Sequence, residues 1–142
     1  MTDLHTLPDR VVLALCIWGE SRGEPVEGQI AVGCVVRNRL QAAVNTAPRW
    51  RDVCLAPNQF SCFNPDDPNY GPLQLALAGH PSARLAQQFW IADGVMSGMV
   101  QDNTHGATHY LTTALLISHP PSWARDQPTR ATIGAHSFLK VA

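Results

Sequence analysis

Positive charge is scarce and scattered in this 142-residue chain: Lys140 is the single lysine among ten basic residues, and no basic run occurs. Tracking a phosphate backbone needs such a run, so no nucleic-acid partner is expected. Charged residues make up only 15% of the chain and the net charge is -1, which gives no field to draw it to an anionic membrane. No window approaches the roughly 20 apolar residues of a membrane span. The start, Met1-Thr2-Asp3-Leu4-His5, lacks the basic segment and apolar core of a secretion signal, so a cytoplasmic location is expected. Cys-x-x-Cys pairs, internal repeats and low-complexity tracts are also missing. Cys16 and Cys34 fall in apolar helical stretches and read as buried free thiols, while Cys54 and Cys62 are close enough in sequence to leave a bridge open.

What is present is one domain's worth of chain with 45% hydrophobic residues, enough to bury roughly 70% of the unfolded surface. Apolar spacing predicts a helix over about 8–20 and a second, central one from residue 26, polar at Gln29, Arg37, Asn38 and Arg39. Arg37 or Asn38 is expected to reach toward the glutamates described below. Residues 45–71, rich in proline, asparagine and aspartate, read as a long irregular segment whose Trp50, Phe60, Phe63 and Tyr70 line a cleft. Two further helices are expected at 73–78 and 82–99, the latter with Ser82 as N-cap and Leu85, Phe89, Trp90, Ala92, Val95 and Met96 buried. Two short strands at 107–112 and 136–141 complete an α+β domain, mainly helical with a small antiparallel sheet.

All three glutamates, Glu20, Glu24 and Glu27, crowd into the turn between the first two helices. A carboxyl group at the end of a buried helix can be kept protonated by desolvation, which is how general acids are made. Glu20 is therefore the first catalytic candidate. Glu24 is the second, although Gly23 and Pro25 beside it equally suit a carboxylate that ties down the loop through Arg22.

The block Gly19-Glu20-Ser21-Arg22-Gly23-Glu24-Pro25-Val26-Glu27-Gly28-Gln29, continuing through Val36-Arg37-Asn38-Arg39, resembles the signature of the SleB-like cell wall hydrolases. Shorter echoes follow in the same order: Asn58-Gln59-Phe60-Ser61-Cys62, Gly106-Ala107-Thr108-His109-Tyr110 and Ile133-Gly134-Ala135-His136-Ser137-Phe138. The resemblance implies a lysozyme-like fold that cleaves peptidoglycan between N-acetylmuramic acid and N-acetylglucosamine, with Glu20 as the essential glutamate. Ser21 departs from the alanine common in the family. A lone catalytic domain over 1–142, with no wall-binding repeats, resembles a phage or prophage endolysin held in the host cytoplasm until a holin-type pore releases it. Peptidoglycan strands are then the expected partner of a monomer, with no cofactor and no metal.

Glycosidic cleavage needs a proton donor and either a second carboxylate or help from the substrate. With Glu20 alone, attack by the muramic acid's own hydroxyl gives a 1,6-anhydro product, as in lytic transglycosylases; with a second carboxylate the chain is a hydrolytic muramidase. Placement in the family echoes makes Gln59, Ser61, Thr108 and Tyr110 candidates for substrate binding. Phe60, Tyr70 and Trp123 suit stacking on sugars, and His136 reads as structural. Three other readings compete. His105, His109 and His136 invite a metallopeptidase, but the spacing is weak and no His-Glu-x-x-His is present. Cys54 or Cys62 with His109 or His136 suggests a cysteine peptidase. A non-catalytic binding protein would leave the glutamate crowding unexplained.

Overall fold

The computed structural model describes residues 3–141. Helix α1 (Asp9–Ser21) is the hub: its apolar run leaves Val12 through Gly19 buried, and α2 (Val26–Gln41), α3 (Trp50–Leu55), α4 (Tyr70–Ala78) and α6 (Ala86–Ser97) all pack on it. Helix α2, expected to be central, lies between the other helices and the sheet. It touches α1, α3 and α6 and reaches across to the sheet.

The irregular segment is more ordered than its composition suggests. It contains α3, a 3-10 turn at Val44–Thr46 and another at Ser61–Phe63, and α4 starts at Tyr70. The expected helix at 82–99 is two: a short α5 (Pro81–Arg84) and α6, separated at Leu85, which is driven into a cluster with Leu15, Trp18 and Leu73. His80 and not Ser82 precedes α5. Trp90 lies 65% exposed, because the buried face of α6 runs through Gln88, Ile91, Ala92 and Val95. Gln88 sets that face by donating to the buried Gln29 side chain at 2.8 Å, and Gln29 in turn donates to the Glu24 carbonyl at 3.1 Å.

The antiparallel sheet has a third strand that the sequence did not announce. Its order is β1 (His109–Thr112), β3 (His136–Leu139), β2 (Thr129–Ile133), with Tyr110 opposite Phe138 and Thr112 opposite His136. Strand β2 is a mostly exposed edge, so it carries little apolar alternation to read. Phe138 turns toward Ala31 and Val35 of α2, and Leu139 turns to the opposite face against Leu111 and Ala124. The short α7 (Thr113–Ser118) covers part of that second face, and none of its residues is fully buried.

Arg37 and Asn38 point away from the glutamates. Arg37 donates to the carbonyls of Val95 and Val100, and Asn38 donates to Asp102 and to the Ala107 carbonyl, each at 2.9 Å. Asp102 also accepts from Thr104 (N and Oγ1) and the Gly106 amide. Burial alone would raise its pKa, but the donors from Thr104, Asn38 and Gly106 outweigh it and hold the carboxyl below its ordinary range. A group depressed in the folded state stabilises the fold above its unfolded pKa of about 4, and that contribution disappears as pH falls through the folded value. Asp102→Asn turns one acceptor into a donor facing two donors, and should cost about 1–3 kcal/mol in denaturant unfolding at neutral pH. It should also shrink the loss of stability on acidification; an unchanged acid limb would count against this reading.

Candidate active site

Glu20 is the penultimate residue of α1, where the buried helix emerges. The chain then turns through Gly23 and Pro25, with the Glu24 amide bonded to the Ser21 carbonyl at 2.9 Å and Arg22 laid over the Trp18 ring at 4.1 Å. The turn sets the Glu20 side chain half-buried and in reach of two other parts of the molecule. Its Oε1 accepts from the Tyr110 hydroxyl of β1 at 2.7 Å, and its Oε2 from the Cys62 amide in the 61–63 turn at 3.0 Å. Enclosure around the hydroxyl, and next the charge of Glu20, push the Tyr110 pKa well above its ordinary value. Tyr110 therefore stays a phenol and a donor.

The two partners of the Glu20–Tyr110 hydrogen bond line two different depressions. One, of about 300 Å³, is lined by Gly19, Glu20, Ser21, Arg22, Gly23 and Asn69. The other, of about 280 Å³, is lined by Arg39, Asn58, Gln59, His109, Tyr110 and Trp123. Tyr110 bonds Glu20, exposed Ser61 precedes the Cys62 donor, and Gln59 lines the second depression with Tyr110. Thr108 lines neither depression. It is 3% exposed, and its hydroxyl is taken up by His109 Nδ1 at 2.9 Å and the Val141 amide at 3.0 Å.

Phe60 is buried beneath the Arg39 guanidinium and offers no face to a sugar, whereas Trp123 keeps an exposed ring at the edge of the second depression. Tyr70, half-buried, opens α4. The Tyr110 hydroxyl is engaged with Glu20, and the residue also lines the second depression.

Glu24 is engaged elsewhere. Its Oε1 meets His136 Nδ1 at 2.7 Å and accepts from the Ala135 amide at 3.2 Å, which fastens the turn after α1 to the β2–β3 hairpin. Its partner is thus His136 and not Arg22. The three histidines of the metal reading are dispersed: His105 is exposed in a turn, His109 packs on Trp123 and His136 on Glu24. Among the described residues no three His, Cys, Asp or Glu side chains converge as a metal site would require. All four cysteines are buried free thiols, so Cys54 and Cys62 are unbridged and closed to a peptide substrate.

Sequence reasoning missed two participants. Arg39 was visible only as an arginine on an apolar helix; here it braces the cleft wall, donating to the Thr108 carbonyl at 2.6 Å and to Gln59 Oε1 at 3.0 Å. The Cys62 donor is a backbone amide, which no side-chain pattern reveals.

A carboxyl group so held, on the lip of an open groove, is the device of enzymes that protonate a leaving oxygen. Residues 23–139 match the Cell Wall Hydrolase family, and the chain belongs to it. Over 132 residues it is 50% identical to a spore cortex-lytic enzyme of Oceanobacillus iheyensis, covering 93% of this chain and 41% of the relative. A second such enzyme, from Halalkalibacterium halodurans, is 29% identical over 134 residues, 92% of this chain and 34% of the relative. The chain thus spans less than half the length of these curated relatives. Two solved catalytic domains match its fold. That of the germination-specific lytic transglycosylase SleB from Bacillus anthracis gives a TM-score of 0.68 at 26% identity, covering 93% of each chain. That of the Bacillus cereus SleB protein gives 0.66 at 25% identity, covering 93% of this chain and 89% of the other. The chain is accordingly a member of the Cell Wall Hydrolase family with a SleB-like, lysozyme-like α+β fold.

Close packing at Gly19 places the Cys62 donor. A Cβ added at Gly19 would lie 2.8 Å from both Cβ and Sγ of Cys62. Gly19→Ala should therefore overpack the helix end and cost about 1–3 kcal/mol, read as a lowered denaturation midpoint; an unchanged midpoint would show that the 61–63 turn gives way freely.

Proposed function

We propose that this domain cleaves the bond between N-acetylmuramic acid and N-acetylglucosamine in peptidoglycan as a lytic transglycosylase, with Glu20 as the only acid/base. The observation that carries this reading is the state of the two carboxylates. Glu20 lines an open depression, and Glu24, its neighbour in sequence, is bound to His136 and Ala135. The kinship with the catalytic domain of a germination-specific lytic transglycosylase supports the same reaction class.

Each Glu20 oxygen accepts one hydrogen bond and keeps a second lone-pair site free, so a proton on either oxygen can face the groove. Glu20 gives that proton to the glycosidic oxygen as the bond to C1 of muramic acid breaks. The resulting carboxylate takes the proton of the muramic acid C6 hydroxyl, whose oxygen closes on C1 and leaves a 1,6-anhydro ring. Tyr110 and the Cys62 amide stay as donors throughout. They fix the carboxyl group and steady its charge once the proton has gone.

The sequence expectation of a phage endolysin, released from the host cytoplasm through a pore, stays a proposal about where this chemistry is used. The curated relatives are spore cortex-lytic enzymes.

Glu20→Gln should abolish clearing of purified sacculi while circular dichroism and the thermal midpoint stay unchanged; a well-folded, active variant would overturn the assignment. Mass spectrometry of the digest should find muramic acid products one water lighter than reducing ends, and reducing ends alone would make the enzyme a muramidase. Tyr110→Phe, which deletes one donor to Glu20, should lower kcat by roughly ten- to a hundredfold with little change in KM. A raised KM with kcat unchanged would place Tyr110 on the substrate instead.

A further inference from the structure

Among the described residues Arg39 is the only charged one that is buried. Glu24 and Asp102 are closed by partners of complementary chemistry. Arg39 is 5% exposed, yet its two hydrogen bonds go to neutral acceptors, the Thr108 carbonyl and the Gln59 side chain. No carboxylate among the described residues lies within ion-pair distance of it. Glu20 acts on it only from farther off. A guanidinium taken out of water without a counter-charge is costly, and it has N–H donors to spare.

Among the described residues, no acid lines the depression that Arg39 lines. Asn58, Gln59, Tyr110 and Trp123 are neutral, and burial, followed by the Arg39 charge, pushes His109 down to about 4. The field of Arg39 therefore reaches the cavity, and His109 is neutral at ordinary pH. Trp123, 37% exposed, is propped on the His109 ring at 5.1 Å and offers an apolar wall of the kind that packs on a pyranose. One buried cation beside an aromatic wall, one hydrogen bond from the proposed acid, suits a sugar that carries an anion.

Resting on the proposed function, we propose that this depression is a subsite for the carboxylate of a muramic acid residue, held by Arg39 with the sugar ring against Trp123. The carboxylate is either that of the lactyl group or that of the first stem amino acid attached to it. A neutral glycan would leave Arg39 unpaired and bind more weakly.

The test is binding by calorimetry to the non-cleaving Glu20→Gln chain. The probes are the disaccharide of N-acetylglucosamine and N-acetylmuramic acid with a free lactyl carboxylate, its lactyl amide, and the same disaccharide carrying alanine. Charge-assisted hydrogen bonds to Arg39 should make one acid bind about tenfold more tightly than the amide. Preference for the first acid assigns the lactyl group, and preference for the third probe assigns the stem.

Gln59→Glu keeps an acceptor for Arg39 but fills the subsite with negative charge, so the preference should collapse. Asn58→Asp, at an exposed position with φ 62 that aspartate tolerates, should weaken it in the same direction. Equal affinity for acid and amide overturns the proposal, and so does a preference that survives both variants, which would leave Arg39 as a brace alone. Cleavage of sacculi by the unaltered chain is measured alongside; cleavage without carboxylate preference removes the subsite and leaves the function standing.

Discussion

The Glu20 carboxylate, held by one hydrogen bond from a strand and another from a helical turn, is the interaction on which the site depends. Tyr110 comes from β1 and the Cys62 amide from the 61–63 turn, while Glu20 itself ends α1. These three segments are distant in sequence and meet only because α1 is packed on nearly all sides. A rigid, buried helix fixes where its last residues emerge, and the two donors then fix the orientation of one carboxyl group. Position comes from apolar packing and direction from hydrogen bonds.

Polar ties join the apolar packing of Phe138 in fastening the sheet and the loop before it to the helices, and most of them originate on α2 or the turn before it. Asn38 binds Asp102 and the Ala107 carbonyl, Arg39 binds the Thr108 carbonyl, and Glu24 binds His136. Each tie is wholly or partly sheltered, so removing one partner strands the other. The exposed pair between Arg10 and Asp93 is different: with both side chains about half in solvent, it contributes about 0–1 kcal/mol. Arg37, Asn38 and Arg39 are thus three consecutive polar residues with three destinations. Helical geometry separates neighbours by about 100°, so only one of them, Arg39, could face the cleft.

The parts of this arrangement that could be read in advance are those in which local chemistry and global fold agree. Helices α1 and α2 were legible because long apolar runs are bounded by Pro8, Gly23 and Pro25. Glu20 was legible because glutamates crowd at that boundary and the surrounding motif is specific. Strand β2 and helix α7 were not, being short, exposed and nearly free of core residues. Trp90 misled because aromatic side chains are normally counted toward the core; the buried polar pair Gln88 and Gln29 had rotated the inward face of α6. Thr108 and Tyr110 lie two residues apart in one echo, yet the strand turns one hydroxyl into the structure and the other onto Glu20.

The sequence by itself determined helices α1 and α2, the α+β class and the family, and singled out Glu20 as the candidate acid, since periodicity, turn residues and a contiguous motif are all local properties. Only the tertiary structure decided what each polar group does. It paired Glu24 with His136, recruited a backbone amide of Cys62, withdrew Thr108 and left Arg39, among the described residues, without a counter-charge. Those outcomes depend on which atoms meet across tens of residues, and on which remain unpaired after water is excluded.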